Sequence, residues 1–201
     1  MKLRITYNAP VVLTFALAAV VVFIVKQALP ATNDWFVSYP HLDGVRSYVG
    51  LFSHILGHAN WEHLISNFML ILLIGPILEE RHGSFALLLM ILATALVTGL
   101  ANLVLGSNMV LGASGVAFMM ILLASMANVR GGEIPLSFIA VALIYMGGEV
   151  MRSFDNDKVS HMTHLVGGSV GAAFGFLGAR RKKPAAAKQA LKSVDLKKLP
   201  I

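Results

Sequence analysis

Ser114 stands in Gly112-Ala113-Ser114-Gly115, at the start of a long apolar run. A serine hydroxyl is a weak nucleophile until a base accepts its proton, and in serine catalysis that base is commonly a histidine. His164 is the candidate, in a later apolar run that also holds Gly167, Gly168, Gly171, Gly175 and Gly178 on the histidine's face. Small residues at four-residue spacing let two membrane helices approach closely, so this seam would carry the imidazole to the hydroxyl of Ser114. A packing seam that ends in a polar histidine is the other reading of the same residues. Gly112 and Gly115 suit a tight entry into a helix. First-turn N–H groups, that of Ser114 included, have no intrahelical acceptor and can donate to a developing oxyanion. His63 and Asn67, at i and i+4, share a helical face and could add side-chain donors to the same anion; an interhelical hydrogen bond is their alternative.

The elements that position these groups follow from composition. Of 201 residues, 57% are hydrophobic and 13% charged, with a mean hydropathy of +0.75. That is about half the charge of an ordinary soluble domain and excludes one. Apolar residues fall in six runs, 9–29, 61–78, 85–105, 114–129, 134–150 and 159–179. Each is near the length a helix needs to cross about 30 Å of hydrocarbon. The expected fold is all-α: a polytopic, six-transmembrane-helix bundle forming one membrane domain over residues 9–179, with a short arm at 1–8 and a tail at 180–201. The first run reads as a retained helix, because Leu29-Pro30-Ala31 is a poor signal-peptide cleavage site.

Lys2, Arg4, Arg81, Arg130 and the cluster Arg180 to Lys183 outnumber Lys26, Arg46, Arg152 and Lys158 on the other side, so both termini are expected in the cytoplasm. The second, fourth and sixth helices then begin at the outer face. His63, Asn67, Ser114 and His164 thereby fall in the outer leaflet at similar depth, a coincidence produced by charge counting and spacing alone. The outward loop 30–60, with Trp35, Phe36, Tyr39, Tyr48 and Phe52, is expected to lie partly in the membrane interface.

The tail carries +7, eight Lys and Arg against Asp195, so the net charge of +6 leaves −1 for the rest of the chain. A basic, disordered segment beside a membrane is explained by attraction to anionic lipid, and no nucleic-acid partner is expected. Absence of cysteine excludes disulfides, thiolate zinc sites and a cysteine nucleophile. No internal repeat is evident, which weighs against an inverted-repeat transporter.

Three blocks taken together resemble the rhomboid family of intramembrane serine proteases: His54-x-x-x-His58-x-x-x-x-His63-x-x-x-Asn67, Gly112-Ala113-Ser114-Gly115, and His164-x-x-Gly167-x-x-x-Gly171. The resemblance covers roughly residues 52–178, and Gly75 with Glu79 to Gly83-Ser84 resembles the family's turn between the second and third helices. It implies Ser114 as nucleophile and His164 as general base in a dyad with no acidic third member. His63, Asn67 and the Ser114 N–H would form the oxyanion site. The implied substrate is another protein's transmembrane segment, cut near the outer face without a cofactor, and the expected location is the bacterial inner membrane. Arg46 lacks the tryptophan that often precedes it in the family, Phe118 stands where some members have tyrosine, and Met119, Met120 and Leu122 replace small residues.

Two other classes compete with this reading. A catalytically silent rhomboid-like protein would bind or escort membrane helices. A metal site or transporter would draw on His54, His58, His63, His161 and His164, whose only nearby carboxylates, Glu62 and Glu149, lie at helix ends. His54 and His58 are expected to be structural, hydrogen-bonding the outer loop or a trapped water. His161, one turn before His164, is placed either to hydrogen-bond it or to be solvated at the interface. Glu149 is either an interfacial carboxylate or a group that orients His164 or gates substrate.

Overall fold

The computed structural model describes residues 6–106, 108–126, 134–152 and 158–181, without the side chains of 148–152, 158–160 and 179–181. Its helices are α1 (Pro10–Ala28), α2 (Val45–Ser53), α3 (Trp61–His82), α4 (Ser84–Leu105), α5 (Ser114–Ser125), α6 (Leu136–Arg152) and α7 (Lys158–Arg181). Each of the six apolar runs is therefore a helix. The helix α3 continues past Leu78 to His82, where Gly83 takes a φ of 85° and ends it. The expected end of α5 at Val129, and the basic tail from 182 onward, lie outside the described residues.

Among the described residues three helices are long and apolar enough to cross a membrane, namely α1, α3 and α4; Ser114–Ser125 and Leu136–Gly147 are shorter apolar segments. Leu17, Val21 and Ile24 on α1, Leu73 and Ile77 on α3, and Leu89 and Val104 on α4 are all exposed. So much outward apolar surface is stable only against lipid, and the chain is a membrane protein.

Aromatic side chains and a glycine join α1 to α3. Phe15 meets Phe68 edge-on at 5.1 Å, Phe23 meets Trp61 at 4.5 Å, and Gly75 makes room for Val12. At the other end of the pair, the Glu79 carboxylate accepts the N–H groups of Val11 and Val12, each at 3.0 Å. Ala9, the residue before α1, has no side chain that can cap it, so α3 supplies that cap.

The loop 30–60 carries short helical elements of its own. A 3-10 turn at Pro30–Phe36, then α2, then a second 3-10 turn at His54–Leu56 fold it onto the helices. Gly50 packs on the Val37 carbonyl and Leu51 on Gly99 of α4, while Tyr48, Val49 and Phe52 remain exposed on the opposite side. Arg46 finds its tryptophan elsewhere in the sequence: its guanidinium lies 5.7 Å from the ring centre of Trp35 and 3.5 Å from Asp34. At the centre of the fold, α5 packs chiefly against α7 and also against α3 and α4, with Val116, Ala117, Met119, Met120, Leu122 and Leu123 buried.

Candidate active site

Ser114 is the first residue of α5, half-buried, and the turn that delivers it is tied to the loop 30–60. Val110 pairs with Ser38 through N–H to carbonyl bonds of 2.9 and 2.8 Å. The Gly112 N–H donates to the His54 carbonyl at 2.9 Å, and the Ala113 N–H donates to Nε2 of His58 at 3.4 Å. Gly112 has a φ of 125°, and a Cβ there would sit 2.7 Å from Nε2 and Cε1 of His63. Both conformation and close approach require glycine.

His54 and His58 have the expected structural role. Nδ1 of His54 lies 2.9 Å from the Gly50 carbonyl, and its Nε2 lies 3.2 Å from the Thr98 hydroxyl. Nε2 of His58 accepts a backbone N–H, so its proton belongs on Nδ1, 3.2 Å from the Leu56 carbonyl. Burial pushes both imidazoles down to about 4, from an ordinary value of 6.5. The unfolded chain then binds protons at these residues that the folded protein excludes. Their contribution to stability is complete above pH 6.5 and is lost as pH falls toward 4, by about 1.4 kcal/mol per pH unit for each histidine. Thermal unfolding in detergent across that range should show this slope, and a flat profile would contradict neutral burial.

The seam between α5 and α7 is built from three of the five glycines. Gly115 faces the Thr163 and Thr98 methyls, and a Cβ at Gly167 would overlap the Gly115 carbonyl oxygen and lie 2.8 Å from the Gly115 Cα. Gly171 lies as close to the Met119 backbone, and Gly175 abuts Met126. Gly168 instead faces Met146 and Leu122 at ordinary contact distances, and Gly178 has nothing within 4 Å, so these two do not belong to the seam. The close approach lays the His164 ring flat on Phe118, centroids 4.4 Å apart and planes within 3°. Phe118 is one turn beyond Ser114 on the same face of α5, so the imidazole lies along the face that carries the hydroxyl. The His161 ring stands perpendicular to His164 with centroids 6.5 Å apart.

Across the Gly112 turn lie His63 and Asn67. Asn60 caps α3 by accepting the His63 N–H at 2.8 Å, and Nδ2 of Asn67 donates to the His63 carbonyl at 2.8 Å. The same Nδ2 lies 3.9 Å from where a Gly112 Cβ would be. Ser114, His164, His63 and Asn67 are thus gathered around the first turn of α5. Sequence reasoning missed Asn60, although an asparagine directly before an apolar helix is a capping signal. It also missed Thr98 and Thr163, which carry no local signal. No group of three His, Asp or Glu side chains among the described residues could hold a metal ion. The Glu149 side chain lies outside the described residues.

A hydroxyl at a helix start, an imidazole stacked one turn along and polar donors on the facing helix match the requirements of acyl transfer. The Rhomboid domain family model matches residues 45–181. Rhomboid-related protein 1 of Caenorhabditis elegans is 29% identical over 136 residues, covering 62% of this chain and 38% of that protein. Rhomboid-like protein 11, chloroplastic, of Arabidopsis thaliana is 29% identical over 136 residues, covering 60% of this chain and 49% of its own length. The match spans less than half the length of either relative.

Proposed function

The chain belongs to the rhomboid family, and on that premise we propose that it is an intramembrane serine endopeptidase acting on transmembrane segments of other proteins. The observation that carries this reading is the stacking of His164 on Phe118, which holds the imidazole on the Ser114 face of α5. Ser114 Oγ attacks the scissile carbonyl carbon while His164 takes the hydroxyl proton. The carbonyl electron pair moves onto oxygen, and the Ser114 N–H, His63 and Asn67 receive the resulting oxyanion. Collapse of that intermediate breaks the C–N bond, His164 returns the proton to the leaving amine, and water then hydrolyses the acyl-enzyme. The dyad works without an acidic third member or a cofactor. Six membrane crossings with both termini in the cytoplasm would put the cut near the outer face, and the bacterial inner membrane is the proposed location.

The test is incubation of the detergent-purified protein with labelled single-span membrane proteins. Serine-dependent fragments support the reading, whereas capture of a membrane helix without cleavage supports the silent-binder alternative. Asn67 offers a finer measurement. Its amide nitrogen carries two hydrogens, and the His63 carbonyl takes one. Asn67→Ala is expected to lower kcat roughly tenfold to a hundredfold, because His63 shares the anion, with little change in KM. A pure KM effect would move Asn67 to substrate binding.

A further inference from the structure

Lys26 lies in the last turn of α1 and is only 8% exposed. A lysine near a membrane helix end ordinarily extends its ammonium to water. This one points inward, with Nζ donating to the His58 carbonyl at 3.4 Å. No ion pair joins Lys26 to a carboxylate among the described residues. A buried, uncompensated cation is expensive, and its surroundings indicate what offsets the cost.

His58, whose carbonyl Lys26 holds, accepts the N–H of Ala113 immediately before Ser114. The His58 ring meets His63 edge-on at 5.1 Å, and His63 faces Gly112. We propose that Lys26 is a positioning residue of the serine site: through His58 it fixes the turn that presents Ser114, and its charge stands behind the pocket where the oxyanion forms. The inference rests on the serine-protease reading above. During attack the carbonyl oxygen becomes negative beside His63, where a fixed cation in a water-poor setting favours the charged intermediate over the neutral substrate. Such a charge acts on turnover and leaves substrate binding nearly unchanged.

The experiment compares Lys26→Met, Lys26→Gln and Lys26→Arg in the full chain with the parent and Ser114→Ala. Lys26→Met keeps the apolar stem and is expected to lower kcat about tenfold at nearly constant KM. Its thermal stability should be unchanged or higher, since a buried unpaired charge is gone. Lys26→Arg should retain turnover within about threefold. A merely structural lysine would lose stability and activity together. Unchanged kcat in both neutral variants would overturn the proposal. If the parent shows no serine-dependent cleavage, the protease reading fails, and backbone hydrogen exchange then tests Lys26 by itself. Faster exchange at residues 110–113 in the neutral variants sustains the link through His58, and unaltered exchange refutes it.

Discussion

Ser114→Ala and His164→Ala should each reduce cleavage of a membrane substrate by on the order of 10⁴-fold or more, to a level indistinguishable from background. In the proposed mechanism the hydroxyl would supply the bond to the substrate carbonyl and the imidazole would accept its proton, so each would be useless without the other. The double variant should therefore be no worse than either single one. Stability should change little. Ser114 stands at a helix start, half-buried, and alanine there removes one oxygen. His164→Ala also removes the stacking on Phe118, and about 1 kcal/mol is the expected loss. The measurements are fragment yield over time and thermal unfolding in the same detergent. Near-normal turnover in either variant would remove that residue from the dyad.

Gly167→Ala should also be damaging, for a purely steric reason. The added carbon would overlap the Gly115 carbonyl oxygen and lie 2.8 Å from the Gly115 Cα, against about 3.5–4.0 Å for comfortable carbon contact. Two backbones face each other here, so no side chain can swing aside. The helices α5 and α7 must part by roughly 1 Å, costing about 1–3 kcal/mol or more, and a misplacement of that size can lower a reaction about 10²-fold. Gly168→Ala is the matched control. It adds the same carbon one residue later, where the nearest atoms are the flexible Met146 and Leu122 side chains at 3.5 and 3.6 Å. Its activity and stability should stay near the parent's. Equal effects of the two substitutions would show that the seam is not what sets the distance between the helices.

That contrast also marks how far the sequence could be read. Six helices were legible because apolar runs of membrane length leave no competing element. Ser114 at the head of α5, and His63 with Asn67 on one face of α3, followed from helical spacing. Which glycines form the seam did not follow, because Gly167 and Gly168 differ by only one residue and their facing is fixed by where α5 lies. The loop 30–60 was least legible. Its order comes from partners distant in sequence: Ser38 with Val110, Trp35 with Arg46, and His58 with Ala113. Short turns of mixed polar and aromatic residues carry no periodicity that announces such pairings. Lys26 counted only as a positive charge on the outer side, since the burial of a long side chain depends on its neighbours.

The cap that Glu79 provides for α1 bears on biogenesis. The amides of Val11 and Val12 find their acceptors 68 and 67 residues later in the chain. Until that carboxylate has been synthesised, the start of α1 carries donors that hydrocarbon cannot satisfy. The start of α1 is thus completed only by the end of α3, which makes its final seating in the membrane a late step of synthesis.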